Sequence, residues 1–188
     1  MSRSPDHNQT GDKGGRDGVP FPPSSFEAQI LALLPQLRRY SRSLTRSDSE
    51  SEDLLQDCVE KALVHRSQWS GANIRAWAYR IMTNLHLNAR RTIARRPAVS
   101  IEAAEGIAEN SALSDPLARN RLVQALESLA PDARAVLMLV AVEGHSYQEI
   151  AEILEIPIGT VMSRLSRARQ MLRQKLQEDN VVPLRSPR

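Results

Sequence analysis

"SYQEIAEILEIPIGTVMSRLSRARQML", residues 146–172, decides how the chain folds. Ser146 followed three residues later by Glu149 is a capping box, the reciprocal pairing that starts a helix. Ile150, Ala151 and Leu154 give the short segment that follows one apolar face. Pro157 keeps it from running on, and Gly159 and Thr160 open a second helix. On a helical wheel Val161, Leu165, Ala168 and Leu172 fall in one apolar stripe. Opposite them lie Ser163, Ser166, Arg167 and Gln170, with Thr160 and Met162 at the margins and Arg164 and Arg169 flanking the stripe. The spacing predicts helix, tight turn and amphipathic basic helix, a helix-turn-helix whose second helix reads DNA. Small side chains allow close approach to a surface, and arginine supplies a fork that fits phosphate or a guanine edge. A helical hairpin packed only on its own chain carries the same apolar stripe. A Ser/Thr and Arg face without an acid, directly after the turn, favours the DNA-reading form.

Working outward, "PLARNRLVQALESL" (116–129) and "APDARAVLMLVAVEG" (130–144) continue the helical pattern towards the N-terminus, with Pro116 and Pro131 near helix starts. Residues 98–115, "AVSIEAAEGIAENSALSD", contain acids and no base, and a linker is expected over 97–116. Before it lie three helical patterns. "SSFEAQILALLPQLRRYSRSLTR" (24–46) aligns Ile30, Leu33, Leu34, Leu37 and Leu44, with a kink or short break expected at Pro35. "SDSESEDLLQDCVEKALVHRSQW" (47–69) begins acidic and ends basic, as a helix dipole favours. "IRAWAYRIMTNLHLNARRTIARR" (74–96) places Ile74, Ala78, Ile81 and Leu85 on one side. Residues 1–23, rich in Gly, Pro, Asp and Ser, read as a disordered tail, and 179–188 as a fraying end.

Composition bounds the function. The chain has 188 residues, few aromatics (4%) and a net charge of +3 carried mostly by arginine. Scarce aromatics lean away from a sandwich or barrel and towards an all-α chain. Cys58 is the only cysteine, so no internal disulfide and no cysteine-based metal site can form, which fits a reducing cytoplasm. Its place beside Leu54, Leu55 and Ala62 marks it as a packing residue. No apolar run reaches the length of a membrane span, so no membrane insertion is expected. The histidines, His7, His65, His86 and His145, are scattered without ligand-like spacing. No metal, no cofactor and no catalytic residue is expected, and an enzyme is the weakest reading.

The stretch from Leu126 to Leu176 closely resembles region four of bacterial extracytoplasmic-function sigma factors. "ESEDLLQDCVEKAL" (50–63) and "IRAWAYRIMTNLHLNARR" (74–91) resemble region two of the same family. The likeness covers roughly 26–96 and 117–177, in the same order and with a joining linker. It implies two small helical domains, region two over 24–96 and region four over 117–178. It further implies a chain that binds core RNA polymerase and carries it to promoters, held inactive by an anti-sigma factor. Carried over by position, Thr160, Met162, Ser163, Ser166 and Arg167 face the upstream promoter element, with Arg164 nearby. Trp77, Tyr79, Asn84 and Asn88, followed by Arg90, Arg91, Arg95 and Arg96, supply stacking faces, amides and a basic track for the melted downstream element. The loop Ser67–Asn73 corresponds to a pocket for a flipped base. Asp53, Gln56 and Asp57 meet the coiled coil of the largest polymerase subunit, while region four meets the flap region. By itself the acidic face of this second helix reads equally well as a solvated, dipole-stabilising face. Trp77 by itself reads at least as well as a core residue. Two other functions use the same motifs: a stand-alone helix-turn-helix regulator, which leaves region two idle, and a sigma mimic that sequesters an anti-sigma factor. The sigma reading expects the two helical modules to be held apart, each free to meet its own stretch of DNA.

Overall fold

The computed structural model describes residues 25–95 and 116–178. Seven α-helices carry those residues: α1 (Phe26–Leu44), α2 (Asp48–Val64), α3 (Ile74–Arg95), α4 (Pro116–Glu127), α5 (Pro131–Ala141), α6 (Tyr147–Leu154) and α7 (Ile158–Glu178). A short 3-10 turn, Arg66–Gln68, lies between α2 and α3. Arg96 and the segments 1–24, 97–115 and 179–188 lie outside the described residues, and so do the expectations that fall on them.

Capping chemistry sets the helix starts. Ser25 Oγ accepts from Ala28 N at 3.1 Å, Ser47 Oγ from Glu50 N at 3.2 Å and Asn73 Oδ1 from Ala76 N at 3.0 Å. The expected break at Pro35 is absent: α1 runs through it, with the proline on an exposed part of the helix. The first half packs α1, α2 and α3 around Ile30, Leu37, Leu44, Leu54, Leu55, Cys58, Ala62, Ala78 and Met82. Cys58 is fully buried, its Sγ 3.6 Å from Ala78 O, and burial pushes its thiol up to about 12. The second half packs α5, α6 and α7 around Val136, Leu139, Ile150, Ile153, Val161, Leu165 and Ala168, with α4 against α7.

Two further expectations change. On α3 the buried stripe is Ala78, Tyr79, Met82, Thr83 and His86, while Ile74, Ile81 and Leu85 are only half-buried. The stripe is turned because α3 is covered on two sides, by α1 and α2 on one and by α5 and α6 on the other. The second correction follows from the first. The halves are not apart: α3 packs on α6 and α5, α1 packs on α5, and the buried apolar residues of both halves form one connected cluster.

Candidate nucleic-acid interface

The helix-turn-helix forms as its sequence dictates. Ser146 Oγ accepts from Glu149 N, and the Glu149 carboxylate reaches back to Ser146 N at 2.7 Å. Hydrogen bonds donated to that carboxylate by Ser146 N and by Ser146 Oγ, at 2.8 Å, hold the Glu149 carboxyl below its ordinary range. The turn is unusual: Glu155 ends α6 at φ 52°, the only non-glycine residue with positive φ among the described residues. A branched or bulky side chain pays for that conformation with a steric clash of about 1–2 kcal/mol. Ile156 N then bonds back to Ala151 O, and Thr160 N to Pro157 O at 2.8 Å, starting α7.

On α7 the structure places the buried and open faces where the wheel put them. Val161, Leu165 and Ala168 are buried and Leu172 half-buried. Met162, at 50% exposure, stands in solvent with Ser163, Ser166 and Arg167. Thr160 is half-buried, and its carbonyl accepts from Ser163 Oγ at 3.0 Å. Arg164 differs from its neighbours. Its Nε lies 3.0 Å from Asp132 Oδ2 in the first turn of α5, so the side chain bends back onto its own bundle. Arg169 bends back in the same way, to Tyr147 Oη of α6.

The α3 candidates separate into three groups. Asn84, Asn88, Arg91 and Arg95 are exposed, and their spacing of four, three and four puts them on one face. Arg90 is half-buried beside them. Trp77 is half-buried, edge-on to Phe26 at 5.8 Å in an aromatic group that also includes Trp69. Tyr79 departs from expectation: it is fully buried, with the Tyr40 ring on one side and His145 on the other, at 5.2 and 5.1 Å. It is closed off because the second half sits on it. On α2, Asp53, Gln56 and Asp57 are exposed, away from Leu54, Leu55 and Cys58. Their neighbour Glu52 is engaged by Arg38 at 3.0 and 3.2 Å. Asp53 and Asp57 also line a cleft of about 450 Å³ whose far wall, Leu129 and Pro131, belongs to the second half.

The seam between halves is built from Tyr79, which the sequence reading assigns to DNA, and from charged residues that the sequence did not single out. Arg39 donates to both oxygens of Glu143, Nε at 2.9 Å and Nη2 at 2.8 Å, and Tyr79 Oη donates to the same carboxylate at 2.5 Å. The Glu143 side chain has no solvent exposure, and its hydrogen bond raises the Arg39 guanidinium further above its ordinary value. Arg134 of α5, itself buried, donates to Ser43 O at 3.0 Å and Thr45 O at 3.2 Å, closing the C-terminal end of α1. Desolvation lowers its pKa. Arg80 of α3 does the same for α6, donating to Ile153 O at 2.9 Å and Glu152 O at 3.1 Å and pairing with the Glu155 carboxylate at the strained turn. Each half thus lends an arginine to a helix end in the other, where unpaired carbonyls and a negative dipole end collect.

His86 and His145 are both buried along this seam. Desolvation, reinforced by Arg134 and Arg90, brings His86 down to about 4. Desolvation and Arg75 lower His145 against the opposing pull of Glu149 and Glu143. No signal in the sequence marks these pairings, because Arg39 and Glu143 are 104 residues apart. Among the described residues no helix is long and apolar enough to cross a membrane.

Comparison with known proteins matches both halves. The family model "Sigma-70, region 4" matches residues 119–172, and "Sigma2 domain of PhyR" matches residues 30–83. The ECF RNA polymerase sigma factor EcfG of Rhodopseudomonas palustris is 32% identical over 154 residues, covering 79% of this chain and 83% of that protein. The sigma factor RpoE of Bartonella quintana, solved with the anti-sigma factor NepR, is 32% identical with a TM-score of 0.66, over 82% of this chain and 98% of that one. The anti-anti-sigma factor PhyR of Bartonella quintana, solved with NepR, shares the fold at 24% identity and a TM-score of 0.58, over 81% of this chain and 51% of that one.

Proposed function

The chain belongs to the ECF RNA polymerase sigma factors, and from that membership we propose that it binds core RNA polymerase, directs it to specific promoters and promotes initiation. One observation carries the reading: Ser163, Ser166 and Arg167 stand open on the face of α7 opposite a fully buried stripe, as a helix entering a major groove requires. In this reading α7 reads the upstream element with Met162, Ser163, Ser166 and Arg167, while Thr160 and Arg164 hold its edges. The exposed face of α3, Asn84, Asn88, Arg91 and Arg95, takes the melted downstream strand, with Arg90 beside it. Trp77 sits with Phe26 and serves the fold first. Asp53, Gln56 and Asp57 steer and orient the polymerase contact. The work is recognition and strand capture, so the chain acts without catalysis of its own, in the cytoplasm where polymerase is. Its likeness to a sigma factor solved with NepR supports control by an anti-sigma factor. The role in a stress response follows from the same membership.

A second reading has its own support. The match of residues 30–83 to the sigma-2 domain of PhyR favours a sigma mimic that sequesters an anti-sigma factor. In vitro transcription with core polymerase, followed by start-site mapping, separates the two. A sigma factor yields discrete starts downstream of a shared upstream element. A mimic yields none and still binds the anti-sigma protein.

A further inference from the structure

The cleft of about 450 Å³ between α2, α3 and the start of α5 carries polar groups that the fold leaves without partners. Much of its wall is apolar: Leu54 of α2, Leu85 and Ile93 of α3, then Leu129 and Pro131. Ile93 is 59% exposed. His86 borders the same space and is 7% exposed, yet among the described residues neither ring nitrogen has a hydrogen-bond partner. Native folds rarely leave a buried polar group in that condition. Arg134 also borders the cleft and is 8% exposed. Its Nε and Nη2 donate to Ser43 O and Thr45 O, while among the described residues Nη1 has no partner and no carboxylate pairs with it. Arg90, half-buried on α3, lines the cleft with no ion pair or hydrogen bond among the described residues.

Charge divides the cleft. Arg134 and Arg90 are the charges that bear on His86, and no carboxylate offsets them there. The acids are engaged or turned elsewhere. Glu50 accepts from Arg46 N at 3.0 Å, Glu127 lies 3.8 Å from Arg46, and Asp53 and Asp57 stand on the exposed face of α2. The end of the cleft around His86 therefore offers donors and positive charge beside an apolar wall. We propose that this cleft is a binding site for a small amphipathic carboxylate, its head held by Arg90, Arg134 and His86 and its apolar body laid on Leu85, Ile93 and Leu129. A guanidinium fork matches a carboxylate, and charge-assisted hydrogen bonds are the strong ones. Small-molecule sites are typically apolar clefts of roughly 300–1,000 Å³ with a few convergent polar groups. An inorganic anion leaves the apolar wall unused, and a wholly apolar molecule leaves His86 and both arginines unpaired. Arg90 and His86 come from the first half, Arg134 and Leu129 from the second, so both halves complete the site. Nothing in it depends on what α7 reads.

The probe is decanoate, kept below its micelle concentration and titrated by calorimetry into the full chain. Decylammonium, with the same body and the opposite charge, and inorganic phosphate, with no body, are the comparisons. Decanoate should bind saturably, one per chain, at least about tenfold more tightly than either, the factor that one charge-assisted hydrogen bond supplies. It should also raise the melting temperature, as a ligand of the folded state does. Arg90→Gln should weaken decanoate about tenfold by removing one such bond, and Ile93→Asp should weaken it by spoiling the wall. Neither residue belongs to the buried core, so both variants should keep the helical circular dichroism of the parent. Lack of saturable decanoate binding overturns the site. Equally tight decylammonium overturns the anionic head and gives the cleft to Asp53 and Asp57. Equally tight phosphate overturns the role of the apolar wall. Unchanged decanoate affinity in both variants places the binding elsewhere and overturns the assignment.

Discussion

On α7 the residues opposite the buried stripe, Ser163, Ser166 and Arg167, stand in solvent along the middle of the helix. On α3 the comparable face is open only from Asn84 onward, because Arg80 at its start is held by α6 of the other half. Both helices combine small or amide side chains with arginine. They differ in who occupies the face: among the described residues nothing covers this face of α7, whereas the chain's own second half covers the start of α3. A face that waits for an outside partner keeps its groups exposed. A face with an internal partner hides them until the partner leaves.

The largest expected effect sharpens that contrast at the polymerase face. Asp53→Lys with Asp57→Lys should abolish binding to core polymerase while the circular dichroism spectrum stays helical, since both side chains are exposed and outside the core. Retained holoenzyme formation would remove the assignment. Next comes the buried side of α7. Leu165→Ala should cost about 2–5 kcal/mol in urea unfolding, because Leu165 is 1% exposed at the centre of the helix-turn-helix. A cost near zero would mean that α7 is not seated as described.

The seam should respond to acid. His86 is depressed to about 4 from an ordinary 6.5, so the folded state resists the imidazolium that the unfolded chain forms freely. The stability this provides is present above pH 6.5 and is lost as pH falls towards 4. It amounts to at most about 3 kcal/mol. Arg134 of α5 and Arg90 of α3 are the cations facing it. His86→Gln should therefore flatten the difference in unfolding free energy between pH 6.5 and 4 relative to the parent chain. Equal slopes for both proteins would contradict the burial of a neutral imidazole there.

The smallest effects compare two arginines on one helix. Arg167→Ala should weaken upstream-element binding by about 1–3 kcal/mol if it contacts a base edge, with relaxed specificity at one position. A uniform loss across all sequences would instead assign it to a phosphate. Arg164→Ala should cost about 0–1 kcal/mol of stability, since its partner Asp132 and Arg164 itself are partly solvated. If Arg164→Ala changed base preference more than Arg167→Ala, the division of the α7 face would be wrong.

Legibility in the sequence followed the range of the interaction. The stripe Val161, Leu165, Ala168 and the Ser146–Glu149 box depend on neighbours three or four residues away, and the structure has them as the spacing predicts. Pro35 misled because an exposed proline within a packed helix loses one hydrogen bond without ending the helix. The α3 stripe was misplaced by about one residue, because its periodicity reports apolar side chains and α3 buries Tyr79, Thr83 and His86 as well. These polar residues are affordable there only because partners wait: Thr83 Oγ1 lies 2.9 Å from Tyr40 Oη, and Glu143 receives Tyr79. The docking of the halves was illegible, since Arg39, Arg80 and Arg134 resemble any solvated arginine until the far half is in view. The open faces of α7 and α2 were legible as amphipathic surfaces; the DNA-reading role of α7 was read from its Ser/Thr and Arg face, while its upstream-element assignment and the role of α2 came from resemblance.

Holoenzyme footprinting with permanganate detection of unpaired thymines tests the division of labour between the two helices most directly. The account predicts two effects with polymerase present: protection of an upstream element, lost in Arg167→Ala, and reactive thymines near the start site, lost in Asn84→Ala with Asn88→Ala while upstream protection persists. Upstream protection by the free chain alone at equal strength, with no reactive thymines when polymerase is added, would contradict it.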